Sequence, residues 1–296
     1  IQPPPHYVAL PRPGDAGAPP QPPAFREAGV AGLLNKLCRR NPWTPGRRAD
    51  VAAATHEGRS HSRNQDSFLT LKLPLADVAL LGVADGIGGC DVGEVASYFA
   101  LKFVAQERLR ASAAEGIRDP RAARQILTAG LHKANFLLSR VNQGLGAGTF
   151  VMGTTVAVLM FVARRAVIAH AGDSRCYRLR RGTLRQLTRD DTWAQSLVEK
   201  GQIGPEQVAG HPWEHTLSKC IGVTPELEVC VQEHACRRND RYLLCTDGVF
   251  KQLTDSHLAR CLAEATSAEE AVHTVIRDSL RAGSTDNITV GVACLP

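Results

Sequence analysis

Aspartate recurs at the edges of short apolar segments in this chain, and this recurrence limits how those segments can be arranged. The aliphatic segment Val78–Ala84 is bounded by turn residues, so it predicts a buried strand, and Asp85 follows it directly. Three more aspartates lie at such edges and a fifth precedes a predicted strand: Asp173, Asp247 and Asp286, with Asp66 as the fifth. Because aspartate is uncommon in strands and neighbouring carboxylates repel one another, a fold that gathers them requires cations between them.

Each of these aspartates alone is typical of a turn or a cap, but five together favour a metal site. Carboxylate oxygens without a set of His and Cys ligands suit a hard cation such as Mg²⁺ or Mn²⁺. Gly86 has no side chain, so its backbone carbonyl can approach the same cation. Two such ions about 3.5–4 Å apart activate water for in-line attack at phosphorus. The pattern therefore predicts hydrolysis of a phosphate ester or anhydride.

The composition argues against several other classes of protein. Nine cysteines lie mostly within apolar segments and form no CxxC pair, which favours free thiols in a reducing compartment over disulfides or a zinc cluster. The net charge of +6 comes from scattered Arg and Lys, with no basic stripe interleaved with aromatic residues. No segment has the length of a membrane helix or the pattern of a signal peptide. We therefore expect a cytoplasmic protein without nucleic-acid or membrane partners.

Residues 1–48 differ in composition from the rest of the chain. Ile1–Pro23 is crowded with proline and has little to bury, so it predicts a disordered or polyproline II tail. Such a tail is either a plain tether or a ligand for a proline-reading module. Phe25–Arg40 predicts a short basic helix that either docks on the domain or remains a linker. The folded domain is expected to span residues 49–296.

Local patterns predict an α+β domain, because helical spacing and strand-like runs alternate in groups along the chain. The predicted helices are Gly93–Leu109, Pro120–Val141, Thr192–Lys200, Asp255–Ala265 with Asp255 as its N-cap, and a helix between a capping box at Ser267 and Gly283. The predicted strands are Val51–Thr55, Ser67–Leu73, Val78–Ala84, Val156–Val162, Ala166–Ala171, Arg175–Leu179, Leu184–Leu187, Leu227–Glu233, Tyr242–Cys245 and Ile288–Cys294. Hairpin turns are predicted at Arg164-Arg165 and Gly182-Thr183, and a flexible loop at Gly144–Gly148.

Seven short motifs occur in an order and spacing that identify a family. They are Asn64-Gln65-Asp66 after Gly58, Asp85-Gly86-Ile87-Gly88-Gly89, Gly153-Thr154-Thr155, Ala171-Gly172-Asp173-Ser174-Arg175, Leu187-Thr188, Thr246-Asp247-Gly248 and Thr285-Asp286-Asn287. From about Ala52 to Leu295 the chain resembles the metal-dependent (PPM, type 2C) serine/threonine protein phosphatases, above all their bacterial branch. The resemblance implies a four-layer α-β-β-α sandwich, in which two antiparallel sheets are flanked by helix pairs and the metals lie at one end.

The resemblance also implies which residues hold the cations, Mn²⁺ or Mg²⁺. Asp85, Asp247 and Asp286 would hold the first ion. Asp85 would bridge to the second, which the Gly86 carbonyl would also bind. Asp173 together with Asp247 would form a third, weaker site. The implied metal centre therefore takes two ions, with a possible third.

Further implied roles belong to residues around the ions. Asp66 would orient metal-bound waters, which makes it a candidate catalytic residue. Asn287 would support the ligands of the first ion from behind. The segment Thr192–His215 would form a mobile flap that influences substrate access and the third ion.

Three positions depart from the pattern of the family. Gln65 stands where members commonly have Glu, and a neutral amide is a poorer ligand for the second ion. His61 stands where many members have an arginine that grips phosphate. Arg59 and Arg63 flank it, and their forked guanidinium groups suit phosphate, so all three are further candidate catalytic residues. Ile87 stands where some relatives place a histidine proposed as general acid.

Three hypotheses about function follow. The first is a monomeric cytoplasmic signalling phosphatase that cleaves phosphoserine and phosphothreonine in proteins and reverses the action of a cognate Ser/Thr kinase. The second, suggested by Gln65 and His61, is a catalytically weak regulator that binds phosphoproteins. The third, a metal-dependent nuclease or nucleotide hydrolase, is disfavoured because the chain has no Gly-rich Walker loop.

Overall fold

The computed structural model describes residues 49–60, 63–73, 78–88, 92–112, 117, 119–144 and 152–296. The predicted tail and linker of residues 1–48, the candidate His61 and residues 145–148 of the predicted loop lie outside the described residues. The strands are β1 (Asp50–His56), β2 (Asp66–Leu73), β3 (Val78–Ile87), β4 (Gly153–Thr154), β5 (Val156–Val162), β6 (Arg165–Ala171), β7 (Arg175–Arg180), β8 (Thr183–Gln186), β9 (Cys230–Ala235), β10 (Arg241–Cys245) and β11 (Ile288–Cys294). The helices are α1 (Gly93–Ser112), α2 (Pro120–Gly144), α3 (Trp193–Glu199), α4 (Asp247–Phe250), α5 (Asp255–Glu264) and α6 (Ala268–Arg281), with a 3₁₀ turn at Pro205–Gln207.

Two antiparallel sheets stack face to face between layers of helices. The first sheet has the order β1-β11-β10-β7-β8, and the second has the order β2-β3-β5-β6-β9 with β4 paired to β3. Side chains of both sheets form one apolar cluster between them, such as Leu81 and Leu159 against Tyr242 and Leu244. Helices α1 and α2 cover the outer face of the second sheet, while α5 and α6 cover that of the first. The predicted α-β-β-α sandwich is confirmed.

Strand β5 shows why an uninterrupted apolar run forms a strand here. All seven of its residues are buried. Val158 and Met160 contact the cluster under α1 and α2, whereas Leu159 and Phe161 contact the cluster between the sheets. Burying each such side chain contributes about 1.5–3 kcal/mol of hydrophobic stabilisation. The strand is therefore fixed on both faces, and this fixes Thr155, the residue that precedes it.

The two predicted hairpins are present, each with its turn one residue earlier than predicted. Ala163 and Arg164 connect β5 to β6 with φ of 47° and 61°, and Arg181 and Gly182 connect β7 to β8 with φ of 52° and 78°. Two-residue turns with positive φ match the right-handed twist of paired strands.

Some predicted boundaries are wrong for reasons of pairing. Strand β3 continues to Ile87 instead of ending at Ala84, because Asp85 pairs with Asp66 in β2 and the next residue pairs with β4. Strand β9 begins at Cys230 instead of Leu227, because its partner β6 ends one residue after the position opposite Cys230.

The helix ends also differ from prediction in detail. The N-cap of α5 is Thr254, whose hydroxyl accepts the amide of His257 at 3.3 Å, and Asp255 is the first helical residue. Ser267 caps α6 as predicted and accepts the amide of Glu270. The Glu270 carboxylate reaches Thr266 rather than the Ser267 amide, so the box is only half closed.

The cysteines in the described ranges form no disulfides. The cysteines there are free: Cys176, Cys220, Cys230, Cys236, Cys245, Cys261 and Cys294. Burial raises the pKa of Cys220 to about 12, so this thiol stays protonated at neutral pH.

None of the helices in the described ranges combines the length and apolarity that crossing a bilayer requires.

Candidate metal centre

The five aspartates lie together at one end of the sandwich, where strand ends of the two sheets are next to each other. Asp66 begins β2 and lies opposite Asp85 in β3, while Asp247 lies two residues after the end of β10 and Asp286 lies two residues before the start of β11. Asp173 lies in the connection from β6 to β7, which carries the chain from one sheet to the other. Burial raises the pKa of Asp85 well above its usual range, and the charges of the other four aspartates raise it further. All five carboxylates therefore share one electrostatic environment.

Thr246 joins the two sheets inside this cluster. Its hydroxyl donates to Asp66 Oδ2 at 2.8 Å and accepts the backbone amide of Thr289 at 3.0 Å. Thr246 is fully buried at the end of β10, so its rotamer is fixed by packing. It orients the Asp66 carboxylate from the opposite sheet, a role that the sequence motif Thr246-Asp247-Gly248 did not reveal.

Thr155 provides a second connection, between β3 and the turn that carries Asp173. Its amide donates to the Asp85 carbonyl at 2.9 Å, and its hydroxyl lies 2.7 Å from the Ser174 hydroxyl. The adjacent Thr154 hydroxyl also donates to the Asp85 carbonyl, at 2.8 Å. Thr155 therefore contacts Asp85 on one side and Ser174, the residue after Asp173, on the other. These contacts fix the distance between Asp85 and Asp173.

Asn287 fixes the loop between β1 and β2 against Asp286. Its side-chain oxygen accepts the amide of Gln65 at 2.8 Å, and its side-chain nitrogen donates to the carbonyls of Glu57 and Arg63 at 2.8 and 3.2 Å. Its own amide donates to Asp286 Oδ1 at 2.9 Å. One side chain thus positions a candidate ligand and the loop with the candidate phosphate-binding residues.

The electrostatics of the cluster fit a hard cation. Burial raises the pKa of Asp66 to about 7; hydrogen bonds from Thr289 and Thr246 oppose the rise, and the charges of Asp247 and Asp286 add to it. Among the described residues, the buried atoms Asp66 Oδ1 and Asp247 Oδ1 have no hydrogen-bond partner. A divalent cation would satisfy such oxygens and remove the repulsion. The residues present therefore fit Mg²⁺ or Mn²⁺.

The candidate phosphate-binding arginines lie on the loop beside the cluster. Arg59 is exposed and Arg63 is partly exposed. Between them, the amide of Ser60 donates to the Thr285 carbonyl at 3.1 Å, which fastens the loop next to Asp286. Both residues therefore lie on a loop at the end of the sandwich where the carboxylates meet.

Gly58 provides a direct test of that attachment. Its φ is +77°, and a Cβ at this position would lie 2.0 Å from the Asp286 carbonyl oxygen. Gly58→Ala is therefore expected to displace Asp286, to destabilise the protein by about 1–3 kcal/mol and to weaken Mn²⁺ binding. Gly182→Ala is the matched control, since its φ is +78° and no atom lies within 4 Å of the added Cβ. Thermal unfolding and Mn²⁺ titration of both variants measure the difference; equal Mn²⁺ affinities would contradict the account.

Gln65 and Ile87 are both neighbours of Gly86: the Gly86 amide donates to the Gln65 carbonyl at 3.2 Å, and Ile87 is the next residue in the chain. A Cβ added to Gly93 would meet Gln65 Oε1 at 2.4 Å and the Gly86 carbonyl oxygen at 2.7 Å, so the amide side chain is close to the proposed carbonyl ligand. Ile87 pairs with Gly153 of β4 and is an aliphatic residue that cannot donate a proton.

The predicted flap is attached at the turn that carries Asp173. Thr192 caps α3 and bridges to Leu217, so the two ends of the segment lie side by side. Just before it, the Asp191 carboxylate accepts the amide of Gly172 at 3.1 Å. The start of the segment is therefore bonded to the residue before Asp173.

A second cluster of metal-ligand types, between α5 and α6, is satisfied by its own ion pairs. His257 Nε2 lies 2.9 Å from Asp278 Oδ2, and Cys261 Sγ lies 3.8 Å from the same oxygen. Arg277 donates to the other carboxylate oxygen at 3.0 Å, and Arg260 lies 3.0 Å from His257 Nδ1. Two guanidinium groups beside these atoms disfavour an added cation.

Comparison with known proteins agrees with this geometry. A family profile described as "Protein phosphatase 2C" matches residues 54–282. The serine/threonine protein phosphatase PstP of Mycobacterium tuberculosis is 33% identical over 248 residues, which cover 82% of this chain and 44% of that protein. The chain thus spans less than half the length of this relative. The serine/threonine phosphatase Stp of Listeria monocytogenes is 30% identical over 70% of this chain and 81% of its own length.

A solved structure resembles the whole described sandwich. The catalytic domain of PstP in complex with two manganese ions superimposes with a TM-score of 0.68 and 32% identity. The match covers 84% of this chain and 99% of that domain. Sequence and fold therefore agree on one family.

Proposed function

The chain belongs to the protein phosphatase 2C family, and on that premise we propose that it hydrolyses phosphoserine and phosphothreonine in proteins with Mn²⁺ or Mg²⁺. The observation that carries the proposal is the cluster of five aspartates, in which one buried oxygen of Asp66 and one of Asp247 have no hydrogen-bond partner among the residues that the structure describes. The relative that holds two manganese ions supports a centre with two cations. When bound, such a pair supplies an activated water and stabilises charge at phosphorus.

We assign the side chains of this chain to roles around the cations. Asp85, Asp247 and Asp286 would hold the first ion, and Asp85 with the carbonyl of Gly86 would hold the second. The contact between Asp66 and Thr246 fixes Asp66 in the orientation needed to accept a proton from water. A third, weaker site lies between Asp247 and Asp173, and the predicted flap 192–215, attached beside Asp173, influences it.

Arg59 and Arg63 are proposed to bind the phosphoryl group of the substrate. Guanidinium groups bind phosphate through paired hydrogen bonds, and both residues lie on the loop fastened to Thr285 and Asn287. The proposal includes His61 as a third phosphate contact.

The biological setting is proposed from the relatives. Relatives of this chain in Mycobacterium and Listeria are named serine/threonine phosphatases. We propose a bacterial signalling enzyme of the cytoplasm that acts as a monomer on phosphorylated proteins, without membrane or nucleic-acid partners, and that opposes a cognate Ser/Thr kinase. Free thiols in the described ranges suit a reducing compartment.

The experiment is phosphate release from a phosphothreonine peptide, titrated with Mn²⁺ and with Mg²⁺. We expect release that rises with either cation and stops in excess chelator. Release from nucleotides but not from the peptide would contradict the proposal. Binding of the peptide with no release at any Mn²⁺ concentration would instead support a catalytically weak regulator.

Gln65 is the feature that favours the regulator, and its substitution separates the two functions. Because a carboxylate beside the Gly86 carbonyl binds a cation better than an amide, Gln65→Glu is expected to lower the Mn²⁺ concentration for half-maximal activity about tenfold. Gln143→Glu, at an exposed position near the end of α2, is the matched control. An unchanged Mn²⁺ dependence in Gln65→Glu would show that this position does not reach the second ion.

A further inference from the structure

The side chain of Lys251 forms an ion pair with Asp247, one of the candidate metal ligands. The residue caps the C-terminal end of the short helix α4, four positions after Asp247, which begins it. Its ammonium nitrogen donates to Asp247 Oδ2. The Lys251 side chain is 31% exposed, so its amine lies where the cluster is open to solvent.

The charges around Lys251 belong to the cluster itself. Burial lowers the pKa of Lys251, but the carboxylates of Asp247, Asp173 and Asp286 raise it by more, so the net shift is upward. Conversely, the pKa of Asp173 is raised to about 7 by burial and by Asp247 and Asp190, and the charge of Lys251 opposes that rise. The amine is therefore within electrostatic reach of both carboxylates assigned to the third site.

The other cation near Asp173 is already engaged. The guanidinium of Arg175 binds both oxygens of Asp190 at 2.6–3.1 Å and stacks on the ring of Phe250, 3.7 Å from its centroid. The guanidinium of Arg175 is thus already paired with Asp190. Lys251, by contrast, bonds directly to Asp247.

We propose that the ammonium group of Lys251 serves as a built-in cation on the Asp247 carboxylate, within reach of the charge of Asp173, so that a third divalent ion binds only weakly. The inference rests on the proposed two-cation function. A third divalent ion would have to displace the amine from Asp247 Oδ2 and then bind beside its charge, and both requirements lower affinity. Lys251 therefore determines the stoichiometry of the centre.

The test is the number and affinity of Mn²⁺ ions bound, measured by electron paramagnetic resonance of free Mn²⁺ and by calorimetry. Lys251→Gln is expected to strengthen binding of the weakest ion at least about tenfold, because it removes the competing charge. Lys251→Arg keeps the charge and should resemble the wild type. Lys133→Gln, which removes an amine on the surface of α2, is the control for a general change in net charge.

The double variant Lys251→Gln with Asp173→Asn assigns the new binding to the right place. Loss of the strengthened binding in the double variant supports the proposal. Equal binding of the weakest ion in Lys251→Gln and wild type would overturn it, even while two ions still bind. Wild type that binds no Mn²⁺ at all would instead refute the proposed two-cation function, so the two failures are distinguishable.

Discussion

Replacing Asp85 with asparagine is expected to lower Mn²⁺-dependent hydrolysis of a phosphopeptide at least about a hundredfold, and replacing Asp247 is expected to do the same. Asp85 lies opposite Asp66 in the pairing of β2 with β3. The charges of the other four aspartates all act on its carboxylate, so Asp85 is the carboxylate that the whole cluster surrounds. Asp247 has a buried oxygen without a hydrogen-bond partner in the described part of the protein. An amide at either position binds a hard cation poorly.

The control for these variants is Asp255→Asn. Asp255 is the first residue of α5, as Asp247 is of α4, but it is exposed. Asp247→Asn and Asp255→Asn therefore each remove one carboxylate from the first turn of a helix, and only Asp247 lies in the cluster. Activity near that of the wild type in either Asp85→Asn or Asp247→Asn would contradict the assigned centre.

Mn²⁺ is expected to raise the melting temperature by about 5–15 °C at about pH 8 and by much less at about pH 5. Burial raises the folded-state pKa of Asp66 and of Asp173 to about 7 in the metal-free protein, against about 3.9 in an unfolded chain. The folded state thus binds more protons than the unfolded state between these values. Stability of the metal-free protein therefore falls as the pH rises from about 4 through about 7, by an amount on the order of a few kcal/mol.

Without metal, the melting temperature of Asp85→Asn is expected to differ from that of the wild type. Removing one of the mutually repelling charges should make this variant melt higher than the wild type at about pH 8 in chelator, and gain less from Mn²⁺. Near pH 5 the carboxyl groups of Asp66 and Asp173, whose pKa values are raised to about 7, are largely protonated in the wild type, so the two proteins should differ less. Calorimetry with Asp255→Asn as control measures this. A Mn²⁺ effect that is independent of pH would count against a shared cluster.

Much of the fold could be predicted because burial patterns and turn residues are local signals. Strand β11 has the predicted bounds, Ile288–Cys294, because its apolar run begins directly after the polar residue Asn287 and ends before Pro296, which cannot donate to a strand ladder. The predicted start of β9 is wrong because Leu227-Glu228-Val229 alternates apolar and polar residues as a strand does, and only the end of its partner β6 excludes it from the ladder. Pairing between distant segments is not visible in either segment alone.

The candidate site shows the same division. Aspartates at strand edges predicted that Asp66, Asp85 and Asp247 would meet, and the structure brings them together. Asp85 was placed after its strand because aspartate is disfavoured in strands, yet pairing to β2 keeps it in the ladder. The bond from Thr246 to Asp66 joins residues 180 positions apart, so no local pattern could reveal it.

The role of Lys251 could not be predicted for a related reason. It contacts Asp247 only because Asp247–Phe250 forms a single helical turn, which places residues four apart on one face. The sequence after Asp247 gave no helical signal, since four residues are too few for a period to be recognised.

The central claim is that aspartates from both sheets share divalent cations, and anomalous diffraction at the manganese absorption edge tests it most directly. Crystals grown with Mn²⁺ are predicted to show two strong anomalous peaks bridged by the Asp85 carboxylate, one also within coordination distance of Asp247 and Asp286 and the other of the Gly86 carbonyl. Crystals of Asp85→Asn should lose at least one of these peaks. Anomalous peaks that are absent from this cluster, or that lie elsewhere on the protein, would contradict the account.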